Sequence, residues 1–138
     1  MADMNEFNAK VIAEFRANAG KVGPPFEGSP MVLLTTTGAR TGRTLTSPLV
    51  YSTDGDNVVI IASKAGAPSN PAWYHNLVAN PTVTLEISEE TFQATAEVAV
   101  GAERVRLFDQ QADAMPGFRD YQAKTTREIP VIVLQRVG

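Results

Sequence analysis

The sequence predicts a single mainly-β domain of the α+β class: a small antiparallel barrel of about six strands covered by a few helices. Short runs of β-branched and apolar residues recur at the spacing of hairpins. These runs do not alternate with helices, as the strands of a doubly wound parallel sheet would. The chain has 138 residues, 43% hydrophobic and 20% charged, which is the composition of a folded domain with a core. We therefore expect one domain over residues 1–138.

The overall composition excludes several classes of function. A net charge of -3 lacks the basic excess that nucleic-acid-binding proteins usually show. The chain has no cysteine and one histidine, so thiolate and multi-histidine metal sites are excluded, and we predict no bound metal. No apolar run approaches the roughly 20 residues that cross a bilayer. Because the N-terminus also lacks a signal-peptide pattern, the protein is expected in the cytoplasm.

The first predicted element is a helix over about residues 5–19. Phe7, Val11 and Phe15 are spaced four residues apart and share one face. This apolar face is narrow and short, which favours a helix that covers one end of the sheet. The alternative is an interfacial helix in weak contact with a membrane surface, which would make the protein membrane-associated. The cations available for that contact are Lys10, Arg16 and Lys21.

The most informative stretch is a predicted hairpin over residues 31–51. Both of its flanks are rich in β-branched and apolar residues, as adjacent strands are. Pro48 cannot donate to a ladder, so the second strand is predicted to be an edge or to contain a bulge. The turn could hold an anion through backbone amides and two guanidinium groups, although taken alone its charges favour a solvated surface turn. Its glycines and arginines are Gly38, Arg40, Gly42 and Arg43.

The rest of the chain is predicted to contain four short strands and three helical segments. Strands are predicted over 58–63, 83–87, 91–98 and 131–137, and helices over 70–79, 103–115 and 118–124. Asn70 and Pro71 are interpreted as the cap and first turn of the helix over 70–79. Lys64 follows the strand over 58–63 in a glycine-containing loop, so its ammonium group could reach the same barrel mouth as the arginine turn.

Four aromatic or imidazole side chains lie near this predicted mouth. Trp73 is expected to pack on the barrel and His75 to make a structural hydrogen bond, because no partner acid for a catalytic histidine is evident. Phe118 and Tyr121 are three residues apart and share a helix face, for which core packing is the default interpretation. Spacing alone therefore predicts a β-barrel with a plausible anion-binding mouth.

Five ordered motifs resemble the deazaflavin-dependent nitroreductases of actinobacteria. The motifs are LLTTTGARTG at 33–42, SPL at 47–49, ASKAGA at 62–67, NPAWYHNL followed by ANP at 70–81, and YQ, TR and IPV within 121–131. The likeness covers roughly residues 30 to 135. It implies a split β-barrel over about 30–138 that binds coenzyme F420, a flavin analogue with a phosphate and an oligoglutamate tail.

The same resemblance assigns cofactor contacts residue by residue. The phosphate would be met by Arg40, Thr41, Gly42 and Arg43, with Lys64 nearby. The deazaflavin ring would be lined by Pro48, Leu49, Ala62 and Ser63. The loop and helix that close around the ring would be shaped by Asn70, Trp73 and Asn76.

The resemblance further implies an oxidoreductase that uses reduced F420 to transfer a hydride to a quinone, an enone or a nitroaromatic acceptor. The cofactor carries the hydride, so no acid–base dyad is needed to move it. Tyr121 and Ser63 are the candidate catalytic residues, as hydrogen-bond donors to the substrate oxygen. The candidate substrate pocket consists of Met115, Phe118 and Tyr121. Two alternatives stay open, an FMN-dependent split-barrel oxidoreductase and a non-catalytic protein that binds the cofactor or a quinone; the protein is expected to be a monomer or a homodimer.

Two positions depart from the family pattern. Leu45 stands where members often carry a basic residue, so one anion contact is expected to be absent. Met115 and Phe118 stand at two places where members that reduce bicyclic nitroimidazoles carry tyrosines. Quinone or enone reduction is less affected by this second departure.

Overall fold

The structure is a computed structural model that describes residues 3–23 and 29–137, with side chains described from residue 8 onward and with that of Ala65 excepted. Within these residues it contains four α-helices, one short 3-10 turn and seven strands. The helices are α1 (Asp3–Ala17), α2 (Ala72–Ala79), α3 (Gly101–Ala114) and α4 (Gly117–Ala123), and the 3-10 turn is Lys64–Gly66. The strands are β1 (Met31–Thr37), β2 (Thr44–Val50), β3 (Ser52–Asp54), β4 (Asn57–Ile61), β5 (Thr82–Ile87), β6 (Glu90–Val98) and β7 (Val131–Arg136).

The strands form one curled antiparallel sheet in the order β2-β1-β5-β6-β7-β4-β3. Strands β2 and β3 follow each other in the chain, yet they lie at opposite edges of this sheet. Tyr51 alone separates them, and its amide donates a hydrogen bond to the Pro30 carbonyl at 3.1 Å. The two edges therefore meet at Tyr51, and the sheet curls into the predicted barrel. Pro48 lies on the edge strand β2, as expected, opposite Leu33.

The structure differs from the prediction in the number of strands and in the ends of several elements. The sheet has seven strands rather than about six, because the strand that begins at Thr44 is interrupted at Tyr51. Pro71, not Asn70, caps α2, since the Asn70 side chain instead accepts a hydrogen bond from Arg127. Helix α3 begins at Gly101 rather than at 103; Gly101 has φ +60°, which lets the chain turn sharply after β6. The remaining helices and strands differ from their predicted bounds by at most two residues at either end, within the spread of assignment methods.

Both faces of β1 are buried, which explains its uninterrupted apolar run. Val32 and Leu34 face the main core, where Trp73 and Leu77 of α2 also pack. Met31 and Leu33 face the opposite way, into a cluster with α1. A third cluster lies between α3 and the outer face of β4 and β7; its buried members are Val59, Ile61, Leu107, Phe108, Ala112, Ile129 and Val131.

Helix α1 covers one end of the sheet, as the narrow apolar face favoured. Val11 and Phe15 are 4% and 1% exposed and pack in the cluster with Leu33. Arg16 donates two hydrogen bonds to the Glu86 carboxylate on β5, at 3.0 and 2.8 Å. The Phe7 side chain and part of the connector, residues 24–28, lie outside the described residues. In the described part of the chain no helix combines the length and apolarity that a membrane span needs.

Candidate functional site

The turn between β1 and β2 is held by its own backbone. The Gly38 amide donates to the Arg43 carbonyl at 2.7 Å, and the Gly42 amide donates to the Gly38 carbonyl at 3.1 Å. The Arg43 amide donates to Thr41 Oγ1 at 3.2 Å. A Cβ at position 38 would lie 3.0 Å from both the Arg43 carbonyl oxygen and Thr41 Oγ1, so glycine lets the turn close this tightly. The two arginines therefore project from a compact, internally bonded turn.

Helix α2 clamps this turn through two asparagines. Asn76 is 9% exposed; its Oδ1 accepts a hydrogen bond from the Ala39 amide at 3.0 Å, and its Nδ2 donates to Thr36 Oγ1 at 3.1 Å. One turn later, Asn80 Nδ2 donates to the Thr37 carbonyl at 3.3 Å. Both sides of the Asn76 amide group are thus satisfied, and α2 is fixed in register against the arginine turn.

An open cleft of about 580 Å³ lies between the turn and α2. Arg40 and Arg43 line it and are exposed, and none of the described residues that line it is acidic. The backbone amides of Arg40 and Thr41 have no partner among the described residues, so they can donate to a ligand. Two permanent cations and two unused amides on one turn are the kind of groups that can bind an anion. The full lining is Gly38, Ala39, Arg40, Thr41, Arg43, Thr44, Leu45, Ala72, His75 and Asn76.

A second part of the site is the loop over 62–70, which the Arg127 guanidinium holds in place. Arg127 Nε donates to the Ala67 carbonyl at 2.9 Å and Nη2 to the Ser63 carbonyl at 2.9 Å. Nη1 donates to the Ala62 carbonyl at 3.2 Å and to Asn70 Oδ1 at 2.7 Å. These acceptors are all neutral, and partial burial lowers the pKa of Arg127 from its usual value. The guanidinium therefore holds the shape of the loop by donating hydrogen bonds to four of its residues.

The proposed catalytic residues lie in adjoining elements at this loop. Ser63 is 8% exposed and precedes the 3-10 turn, and the hydroxyl groups of Ser63 and Tyr121 have no hydrogen-bond partner among the described residues. Gly66 of that turn touches α4: a Cβ there would lie 2.8 Å from the Tyr121 carbonyl oxygen. The Tyr121 ring packs edge-on against Phe118, with centroids 5.7 Å apart, and the Phe118 amide donates to the Met115 carbonyl at 3.2 Å. The structure thus places Tyr121 next to this loop and Phe118 against Tyr121, while the substrate pocket of Met115, Phe118 and Tyr121 stays a prediction.

Several other predicted contact residues serve the fold as well. Ala62 and Trp73 are buried in the main core, and Leu49 packs against it. Pro48 is half-buried on β2. Lys64 is exposed, with φ +46°, and its Nζ donates to Ser69 Oγ at 3.4 Å. None of these residues lines the arginine cleft, whereas Leu45, 36% exposed, does.

Two residues that hold the segments of the site together had no assigned role in the sequence interpretation. Arg127 belongs to one of the five motifs but had no role assigned to it. The Gln122 side chain holds the segment that follows α4. Its Oε1 accepts a hydrogen bond from the Ile129 amide at 3.0 Å, and its Nε2 donates to the Arg127 carbonyl at 2.7 Å.

The prediction that His75 makes a structural hydrogen bond is wrong, because His75 makes none with the described residues. Instead, His75 is exposed and lines the cleft, with its ring edge-on to Tyr74.

Comparison with known proteins places this architecture in a family. The family model described as F420H(2)-dependent quinone reductase matches residues 8–136. An F420H(2)-dependent quinone reductase of Mycobacterium tuberculosis is 39% identical over 128 residues, which cover 90% of this chain and 86% of that protein. The solved structure of an F420-H2 dependent reductase (FDR-A) is similar with a TM-score of 0.71 at 37% identity, covering 77% of this chain and 94% of that one. Another solved chain, described as a domain-swapped dimer, has a TM-score of 0.73 at 33% identity and covers 97% of this chain and 98% of its own.

These matches confirm the resemblance read from the five motifs and the split-barrel fold that it implied. The family model spans the arginine turn, the loop over 62–70, α4 and β7, and it reaches into α1, which the motifs left out. The chain belongs to the F420H(2)-dependent quinone reductase family.

Proposed function

We propose that this protein binds coenzyme F420 in the arginine cleft and uses its reduced form to reduce quinones. The observation that carries the proposal is the cleft itself: Arg40 and Arg43 project beside two unused amides, and no acidic residue is among the described lining residues. A phosphate and an oligoglutamate tail require such local positive charge, which a protein of net charge -3 can still provide at one concave surface. The residues present therefore fit the cofactor of the family.

The cofactor contacts divide between the two parts of the site. Arg40 and Arg43 would hold the phosphate with their guanidinium groups, and the amides of Arg40 and Thr41 would donate to its oxygens. Lys64 would add a cation from the loop over 62–70. The ring would lie against that loop and β2, where Pro48 and Ser63 are the contacts at its two sides.

The protein's own part in the reaction is to orient the reactants and to supply a proton. When bound, reduced F420 supplies the hydride. A quinone oxygen that gains charge during reduction needs a hydrogen-bond donor, and a proton must finally reach it. The hydroxyl groups of Ser63 and Tyr121 are suited to this task because they have no partner among the described residues.

The acceptor would bind over Tyr121, beside Phe118 and Met115. The edge-on pair of aromatic rings gives a flat acceptor an apolar surface with one polar tip, the Tyr121 hydroxyl. Quinones match this surface in shape and in their need for a donor. Enones and nitroaromatic compounds present an oxygen in the same way and are the further acceptors that we propose.

A cofactor titration followed by an acceptor assay tests the function. We expect F420 to bind with a Kd well below that of FMN, and menadione to oxidise reduced F420 in steady state when the protein is present. Tight FMN binding without F420 binding would favour the FMN-dependent alternative. Tight F420 binding without turnover across a panel of quinones, enones and nitro compounds would instead indicate a non-catalytic binding protein.

Removing one arginine at a time tests whether F420 binds to the arginine cleft or only responds to the charge of the whole protein. Arg43→Ala should raise the Kd for F420, and the loss should shrink as salt is added because an exposed charge is screened. Arg136→Ala is the matched control, since Arg136 is also exposed but pairs with Glu90 on β6, away from the arginine turn. An Arg43→Ala protein with wild-type affinity at low salt would remove this turn from the site.

Assembly and location complete the proposal. The protein is proposed to be a cytoplasmic monomer or homodimer, and the solved relative described as a domain-swapped dimer supports the second state. Light scattering at several concentrations decides between them. Weak membrane contact would be electrostatic, through Lys10 and Lys21, because Val11 and Phe15 are buried against the sheet. Salt-sensitive sedimentation with anionic, but not neutral, vesicles is the expected result for such contact.

A further inference from the structure

His75 is the one histidine of the chain, and its position has no role in the fold described so far. It is exposed, makes no hydrogen bond with the described residues, and lines the arginine cleft from the α2 side. Ala72, three residues earlier on the same helix face, lines the cleft as well. The imidazole therefore stands in the cleft without being needed to hold α2 in place.

The position of His75 relative to the turn is fixed by its neighbours. Asn76 is bonded to the Ala39 amide and to Thr36, while Trp73 and Leu77 anchor α2 in the main core. The backbone of residue 75 is thus held between two anchored positions, opposite the arginine turn. Only the His75 side chain itself keeps freedom to meet a ligand.

An anion beside His75 would meet cations but no carboxylate among the described residues that line the cleft. The other charged groups among the described lining residues are Arg40 and Arg43, and the Tyr74 ring is edge-on to the imidazole with its centroid 5.6 Å away. None of the described lining residues is a carboxylate. Imidazole gains a proton between about pH 8 and pH 5. An imidazolium group binds an anion more tightly than a neutral imidazole does, because the hydrogen bond is then charge-assisted.

The size of the cleft leaves room for more than one anionic group. At about 580 Å³ it falls within the range of sites for whole small molecules, roughly 300–1,000 Å³, rather than that of a single phosphate. The arginines stand on one wall and the imidazole on the other. A ligand that carries several anionic groups in series can contact both walls.

We propose that His75 is a further binding residue for the anionic tail of the cofactor, and that its protonation tightens this binding as the pH falls. The contact is with an anionic oxygen, either of the phosphate or of a tail carboxylate. Both remain ionised between about pH 5.5 and pH 8, since free carboxyl groups titrate near pH 4. The inference rests on the proposed function, because it takes F420 as the ligand.

The test is a fluorescence titration of F420 at pH 6 and pH 8 with three proteins: wild type, His75→Gln and His75→Arg. Changes that belong to the cofactor's own ionisation appear in all three and cancel in the comparison. The wild type should gain about two- to fivefold in affinity at pH 6 relative to His75→Gln, which is the size of one exposed ion pair. His75→Arg should bind at pH 8 as tightly as the wild type does at pH 6. Arg43→Ala is the control that should lose affinity at both pH values alike.

The outcomes separate the two proposals. Identical pH dependence in the wild type and His75→Gln overturns the role of His75 while leaving F420 binding intact. Absence of F420 binding by the wild type at both pH values overturns the proposed function and this inference with it. Cofactor forms with and without glutamates identify the partner: a pH effect that survives tail removal assigns His75 to the phosphate, and one that disappears assigns it to a carboxylate.

Discussion

Asn76 is buried, yet it contacts the cleft and the sheet at once through its side-chain amide. Its oxygen accepts from the Ala39 amide, and its nitrogen donates to Thr36 on β1. Loss of either bond would leave a buried polar group unpaired, which costs about 1–3 kcal/mol. The same bonds set the distance between α2 and the arginine turn. Asn76 therefore contributes both to stability and to the shape of the anion site.

We expect Asn76→Ala to lower the free energy of unfolding by about 1–3 kcal/mol and to weaken F420 binding roughly tenfold or more. Urea unfolding measures the first effect and a cofactor titration the second. Asn80→Ala is the graded comparison and should have a smaller effect on both measurements, because Asn80 makes one bond, to the Thr37 carbonyl, and is half-buried. An Asn76→Ala protein that loses stability but keeps its cofactor affinity would show that the turn holds its shape without the clamp.

Tyr121 differs from Asn76 because its hydroxyl has no bond to lose within the described residues. Its ring packs on Phe118, and Tyr121→Phe keeps that packing. Turnover with menadione should therefore fall about tenfold or more, while the Kd for F420 and the thermal midpoint stay near their wild-type values. Ser63→Ala is the companion variant. Wild-type rates for both variants across the acceptor panel would exclude these two hydroxyls as donors.

At the scale of elements, the loop over 62–70 is joined to the described strands and their flanks by one backbone bond, from the Ala62 amide to the Pro130 carbonyl. Its shape depends on the Arg127 guanidinium, which bonds to four of its residues. Lysine cannot replace this arrangement, because an ammonium group lacks the planar fork that reaches several carbonyl groups. The loop over 62–70 and the segment that carries Arg127, between α4 and β7, are therefore expected to loosen together.

Arg127→Lys should loosen these two segments more than it unfolds the protein. We expect the amides of Gly66 and Ala67, which bond to carbonyl groups within the loop, to exchange with deuterium at least tenfold faster. Turnover with menadione should also fall, because Ser63 belongs to the same loop. Arg119→Lys is the control, since Arg119 is an exposed arginine paired with Asp113 on α3. Unchanged exchange in the loop would mean that the 3-10 turn keeps its shape without the guanidinium.

The elements themselves could largely be predicted from local pattern. The arginine turn was visible because its glycines and cations are adjacent in the chain, and the strand runs were visible because β-branched residues cluster in them. The hydrogen bonds of Arg127 could not be predicted, because the residues that accept them lie 57 to 65 positions away in the sequence. The break at Tyr51 also escaped prediction, since it follows from closure of the whole sheet rather than from a turn sequence.

At the scale of the whole molecule, β1 connects the hydrophobic support of the barrel with the anion site. Its Met31 end packs against α1, and its Thr37 end leads into the arginine turn. Seven extended residues separate these ends by roughly 20 Å. If the barrel is rigid, a substitution near Met31 should therefore change the stability of the protein without changing cofactor binding near Thr37.

Phe15→Ala tests this separation. Phe15 is 1% exposed in the cluster with Met31 and Leu33, so its truncation should lower the free energy of unfolding by about 3–5 kcal/mol. A domain of this size usually has about 5–15 kcal/mol in total, so the variant should remain folded at 25 °C. Under those conditions we expect its Kd for F420 to stay within twofold of wild type, in contrast to Asn76→Ala. Circular dichroism confirms that the variant is folded before the titration. A folded Phe15→Ala protein whose cofactor affinity falls as far as that of Asn76→Ala would contradict the rigid barrel and show that α1 and the anion site are coupled through β1.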